Sequence, residues 1–139
     1  MVFSIAPSSH KLPLVSSKIK AGFPSPASDH IEKHLSLDEL LISHPIATFF
    51  VEASGTSMLG AGIHPGDILI VDRSRQAIDH DIVIAVIDGD LTVKRLSLAH
   101  SDRPELLSEN PIFAPIVFGN HQELSIWGVV TSVIHRFKK

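Results

Sequence analysis

Ile82-Val83-Ile84-Ala85-Val86-Ile87, then Asp88-Gly89-Asp90, then Leu91-Thr92-Val93-Lys94-Arg95-Leu96 is the stretch on which the fold turns. Two β-branched runs flank an Asp-Gly pair, and Asp-Gly tolerates the positive φ angles that a two-residue hairpin turn demands. The pattern predicts an antiparallel hairpin with Lys94 on its return strand. Side chains alternate across a strand, so Leu91 and Val93 share one face while Thr92, Lys94 and Leu96 share the other. A lysine is thereby set in partly apolar company.

Short β-branched or aromatic runs recur at Ile46 to Ala53, Ile68 to Asp72, Ile116 to Phe118 and Leu124 to His135. They predict a mostly β fold of antiparallel strands. Upstream, Met1 to about Pro26 shows no sustained period and reads as a mobile arm, extended briefly around Ala21-Gly22. Ser25-Pro26 is an N-cap and first-turn signal for a short helix to about His34. Ser36-Leu37-Asp38-Glu39 is a capping-box pattern running into Leu40-Leu41-Ile42 and stopped by Pro45. The expected division is a flexible arm over residues 1–25 and one β domain over 26–139.

A chain of 139 residues is large enough for one normal core and too small for two. Its hydrophobic fraction of 44% and mean hydropathy of +0.24 fit a compact soluble fold with apolar surface left for an oligomer contact. The absence of cysteine excludes disulfides and cysteine-ligated zinc. Ser4, Pro7, Ser8, Ser9, His10, Lys11 and Pro13 interrupt any signal-peptide core, and nowhere do 18 apolar residues follow one another. A membrane-anchored peptidase is therefore not expected. The net charge of −3 argues against general nucleic-acid affinity. Lys11, Lys18 and Lys20 precede the first acid, Asp29, and read as a solvated tail or as a contact for DNA or an acidic partner.

Three places could carry chemistry. Ser57 lies between Gly55 and Gly60, where a tight turn can open into one helical turn and aim backbone N–H groups, its own included, at one point. It is a candidate nucleophile, or a serine in a polar turn. Lys94, 37 positions on, is a candidate general base. An ordinary lysine near pKa 10.4 stays charged at neutral pH, so burial must lower it by roughly 2 to 3 units. The alternative is a strand lysine paired with an acid, and neighbouring Arg95 reads as such a solvated cation. Ala21 and Gly22 are small enough for their peptide bond to enter a narrow cleft beside a hydroxyl; otherwise they are linker.

The nine histidines form no cluster in sequence. His30 and His34 stand four apart on the expected helix, but Glu32 does not directly follow the first of them, as a zinc-peptidase helix requires. His64 is near enough to Ser57 to be considered as a base. No metal site is expected.

Ser54-Gly55-Thr56-Ser57-Met58, Gly62-Ile63-His64-Pro65-Gly66-Asp67-Ile68-Leu69-Ile70-Val71, Asp81-Ile82-Val83-Ile84-Ala85, Val93-Lys94-Arg95-Leu96, Ser108-Glu109-Asn110-Pro111 and Trp127-Gly128-Val129-Val130 together resemble the LexA/UmuD family of self-cleaving SOS-response proteins. The likeness runs from about Ala21 to the C-terminus. It implies strongly bent antiparallel sheets of the LexA/UmuD C-terminal type, a Ser57–Lys94 dyad that cuts Ala21-Gly22, and a structural turn at Pro65-Gly66-Asp67 that leaves His64 no catalytic role. Repressors of the family carry a helix-turn-helix domain before the cleaved bond. Twenty-one residues are too few for three helices, so the UmuD branch is expected, although some UmuD proteins have cysteine where this chain has Ala21.

The resemblance further implies a cytoplasmic homodimer that needs no cofactor, metal or membrane and makes no sequence-specific DNA contact. RecA filaments on single-stranded DNA would stimulate the cut. The processed form would serve a UmuC-like Y-family polymerase in translesion synthesis. Two other readings stay open: a non-catalytic interaction module of the same fold, and a peptidase that acts on other proteins.

Overall fold

The computed structural model describes residues 10–15, 18–19, 21–22, 31–99, 103–118 and 124–138. They fall in two compact units, Met1–Ser43 and His44–Lys139. In the first, Lys11–Val15 (β1) lies antiparallel to Ile31–Ser36 (β2), from Lys11 opposite Ser36 to Leu14 opposite Lys33. Leu37–Leu41 (α1) follows at once, with Asp38 and Glu39 in its first turn, where their charge suits the positive end of the helix. Ser36 takes the N-cap position with extended backbone, but its side chain makes no cap hydrogen bond.

One expectation is corrected here. Residues 31–34 belong to a strand rather than to a helix running to His34, and its partner strand, Lys11–Val15, lies within the expected arm. The cause is non-local: each strand's backbone is satisfied by a partner some twenty residues away, which cap signals such as Ser25-Pro26 cannot reveal. Residues 26–30, where that helix was to begin, lie outside the described set.

The second unit holds Thr48–Glu52 (β3), Ile68–Asp72 (β4), Ile82–Ile87 (β5), Asp90–Ser97 (β6), Glu105–Leu107 (β7), Ile116–Val117 (β8) and Ser125–Ile134 (β9). They form one sheet in the order β3-β4-β9-β5-β6-β7-β8, every pair antiparallel. The hairpin is as read from the sequence: β5 and β6 pair from Ile82–Arg95 to Ile87–Asp90. Asp88 and Gly89 both sit at positive φ, 50° and 84°, as the two-residue turn requires. Strand β7, short and headed by a charge, was not anticipated.

Strand β5 is buried on both faces, which explains its unbroken apolar run. Ile84 packs into one cluster with Ala53, Met58, Ile63, Leu69 and Val71. Val83 and Ala85 pack into another with Leu96, Leu106, Phe118 and Val129. Pairing with β9 shifts register between Ile70 and Val71 and again between Ile84 and Ala85, irregularities of the kind that bend strands. In a flat sheet β3 and β6, four steps apart, would be separated by roughly 19 Å. Yet Val51 of β3 and Val93 of β6 pack against the same cluster, so the sheet curls around it. This is the mostly β, strongly bent antiparallel architecture expected. No helix among the described residues is long and apolar enough to cross a membrane.

Candidate active site

The segment from Ala53 to Asp67 carries Ser57, and it is pinned at its base, its middle and its crossing point. Ala53 N–H donates to Asp67 O and Gly66 N–H to Ala53 O, each at 2.8 Å, which closes the base. Met58, only 2% exposed, plugs the first core cluster, and its carbonyl accepts from Ala61 at 3.0 Å and Ile63 at 3.2 Å. A single 3-10 turn, Leu59–Ala61, follows, where one helical turn was expected. Ser57 therefore sits one residue before a buried anchor.

At the crossing point the loop is bound to the segment after β7. Glu109 N–H donates to Ser57 O at 2.8 Å, Gly60 N–H to Glu109 O at 2.7 Å, and Asn110 Nδ2 to Thr56 O at 2.9 Å. A side chain at position 60 would place its Cβ 2.7 Å from the Glu109 carbonyl oxygen, so only glycine permits this approach. Arg95 in turn ion-pairs with Glu109 and donates from Nη1 to His80 O at 2.6 Å. Arg95 is thus a partly buried brace for the Ser57 loop, not the solvated cation read from sequence. Sequence reasoning missed this role because Glu109 is 14 residues away on another element.

Lys94 Nζ lies 3.0 Å from Ser57 Oγ, 3.3 Å from Thr92 Oγ1 and 3.2 Å from Val93 O. Thr92 and Lys94 share a strand face, which is why both reach one point. All three acceptors are neutral. Lys94 is buried, and this burial pushes its pKa below the usual lysine value. Uncharged, the amine can accept the Ser57 proton across the same contact through which the ammonium donates. Beside the pair a cleft of about 150 Å³ is lined by Val51, Ala53, Ser54, Leu69, Ile84 and Thr92 among others. It opens next to β3, an edge strand of the sheet. The pair, the lowered pKa and the cleft form an arrangement able to activate a hydroxyl toward an extended backbone.

Ala21 and Gly22 belong to the first unit, where they form an exposed bend. His34 lies on β2, and His30 is outside the described residues. His64 does not touch the Ser57–Lys94 pair; it faces Asp67, whose carboxylate accepts the His64 N–H at 2.8 Å. That backbone bond is the main cause holding Asp67 below the usual carboxylate range, burial opposes it, and His135 adds to it. The turn at Pro65-Gly66-Asp67 is thus tied down by its own aspartate.

Comparison with known proteins gives the family. Residues 13–131 match the Peptidase S24-like family. The chain is 47% identical over 131 residues to Protein ImpA of Salmonella typhimurium, covering 94% of this chain and 88% of that one. It is 47% identical over 124 residues to Protein SamA of Salmonella typhimurium strain LT2, covering 89% and 85%. It is 44% identical over 124 residues to Protein MucA of Escherichia coli, covering 88% and 83%. A match over most of the length, with relatives well above the identity at which folds diverge, leaves one conclusion: the chain belongs to the peptidase S24-like family of self-cleaving serine peptidases, in its UmuD-like branch.

Proposed function

We propose that this protein cuts its own Ala21–Gly22 bond, with Ser57 as nucleophile and Lys94 as general base. Ser57 Oγ attacks the Ala21 carbonyl carbon while its proton passes to Lys94 Nζ. The tetrahedral oxyanion is received by backbone N–H groups of the turn, that of Ser57 included. As the intermediate collapses, Lys94 returns the proton to the departing Gly22 amine, and Ala21 remains as an ester on Ser57. Water then hydrolyses this ester with Lys94 again as base, releasing residues 1–21 and leaving a form that begins at Gly22. No cofactor takes part. The observation that carries the reading is the 3.0 Å contact between Ser57 and a buried Lys94 whose hydrogen-bond partners are all neutral.

Family membership supports an SOS-related role. Within it we assign the cytoplasmic processed form, a homodimer, as accessory subunit of a UmuC-like translesion polymerase, with cleavage stimulated by RecA filaments on single-stranded DNA. The test needs none of these partners. Purified protein incubated at rising pH should release a fragment whose new N-terminus is Gly22, read by mass spectrometry. The rate should climb from about pH 7 to 10, because the neutral fraction of Lys94 grows as pH passes through a pKa held below 10.5. Ser57→Ala and Lys94→Ala should each abolish the cut, and combining them should cost nothing more, since both disable one step. Parent-like cleavage by Ser57→Ala would sink the assignment.

A further inference from the structure

A second convergence of chemical groups lies outside the Ser57–Lys94 pair. His64 and Asp67 bracket the turn before β4, and His135 follows the last residue of β9; the fold brings the three together from 68 residues apart. One ligand atom from each lies within 4.8 Å of the others. Asp67 Oδ1 accepts from His135 Nδ1 at 2.5 Å, and Asp67 Oδ2 lies 3.7 Å from His64 Nδ1. The two imidazole rings are 5.1 Å apart. The carboxylate is 3% exposed whereas the imidazoles are 52% and 44% exposed, so the set has a buried floor and an open mouth.

We propose that His64, Asp67 and His135 form a binding site for one late transition cation, Zn²⁺ foremost. Two imidazole nitrogens and one carboxylate suit zinc, cobalt or nickel, whereas magnesium and calcium favour oxygen-rich shells. On binding, the cation takes the place of the His135 Nδ1–H, the neutral ring keeping its one proton on Nε2, and solvent completes the shell through the open mouth. Little backbone reorganisation is needed. Asp67 is fixed by the Ala53 N–H bond to its carbonyl, Asp67 N–H donates to His64 O at 3.1 Å, and Ile134, next to His135, is paired with Ile68. Side-chain rotation suffices, so the ordering cost is small.

A bound cation would clasp the end of β9 to the base of the loop that carries Ser57, since Ala53 and Asp67 close that base. It would stabilise the folded second unit by mass action without entering the cleavage chemistry.

The test uses full-length protein carrying Ser57→Ala, which stays uncut. Titration with ZnCl₂ should reveal one saturable site per chain and raise the melting temperature by several degrees, and CoCl₂ should give the visible absorption of a low-coordinate Co²⁺ site. His64→Gln/His135→Gln should weaken zinc binding by at least roughly tenfold and abolish the thermal shift, since losing ligands should cost no less than losing their supporting groups. Glutamine at 135 keeps an N–H for Asp67, and an unchanged metal-free melt certifies the fold. His34→Gln/His80→Gln, which alters histidines elsewhere, should bind as the parent does. Undiminished one-to-one binding in His64→Gln/His135→Gln, no saturable site in the parent, or an equal thermal shift with MgCl₂ would each overturn the assignment.

Discussion

Among the described residues, the deeply buried apolar side chains all lie in the second of the chain's two units. In the second, Leu69, Val71, Val83, Ala85 and Leu106 are at most 1% exposed; in the first, Leu12, Val15, Ile31, Leu37 and Leu40 are all more than half exposed. A two-stranded ribbon of that kind is marginal on hydrogen bonds alone, whereas a curled seven-stranded sheet with two apolar clusters is not. The difference suits the proposed reaction. In that reaction a substrate segment must be able to enter a cleft, while a nucleophile and its base must be held to within a few tenths of an ångström. The exposed bend at Ala21–Gly22 and the pinned loop at Ser57 sit on the corresponding sides of that contrast.

The largest effect expected lies in the rigid unit. Lys94→Met keeps the apolar stem and removes the amine, so cleavage should vanish while stability holds or rises. Burial lowers the folded-state pKa of Lys94, so the fold disfavours its charged form. Below that folded value the cost is present in full; it fades as pH rises from there to the unfolded value, 10.5. Lys94→Met should therefore melt at or above the parent near pH 7, with the gap closing toward pH 10. Thermal melts of both in a Ser57→Ala background would check this, and a variant that melts well below the parent at pH 7 would mean that the amine supports the fold.

Next comes the core itself. Leu69→Ala, at a position 1% exposed, should cost about 2 to 5 kcal/mol, the range for emptying a leucine site in a packed interior. Hydrogen exchange should quicken across β4, β5 and β9 but not in β1 and β2. Equal acceleration in both units would show them to open together and would remove the contrast.

This contrast also governs what the sequence could disclose. The β5–β6 hairpin was legible because Asp88-Gly89 and the two runs beside it specify themselves locally. Strand β4 was legible for the same reason, as five consecutive apolar or capping residues. Strand β7 was not, since three residues headed by Glu105 gain their pairing only from β6 and β8. Strand β2 was misread as helix because its ladder partner, β1, is distant in sequence. Ser57 and Lys94 were paired through family resemblance, not spacing; what brings them within 3.0 Å is the curl of the sheet and the docking of the loop on Glu109. The Arg95–Glu109 brace follows from the pairing of β6 with β7 and the His64–Asp67–His135 group from the pairing of β4 with β9, and no local pattern announces either.

A smaller effect tests the loop docking directly. Gly60→Ala would put a methyl carbon 2.7 Å from the Glu109 carbonyl oxygen, too close for either backbone to stay in place. The loop must back away, and Ser57, bonded through its carbonyl to the same residue, moves with it. A displacement near 1 Å at a nucleophile slows a reaction by about a hundredfold. The cleavage rate should fall on that scale while the melting temperature drops only slightly. A large drop in melting with little change in rate would assign Gly60 to stability instead of geometry.

The smallest effect belongs to the ribbon, and it is where the contrast can be sharpened most. Leu12 is 62% exposed and pairs through its backbone with Leu35, so its side chain contributes little burial. Leu12→Ala should shift stability by no more than about 0.5 kcal/mol, the usual range for a surface site. If the ribbon only carries the scissile bend, the cleavage rate should likewise stay within roughly twofold of the parent, the same free energy expressed as a rate. Rates and melts measured side by side distinguish two kinds of exposed leucine. Unchanged values in both would make Leu12 incidental surface. A tenfold slower cut with an unchanged melt would make the apolar face of the ribbon a recognition surface for the reaction, so that its exposure is a condition of substrate delivery and not a mere lack of burial.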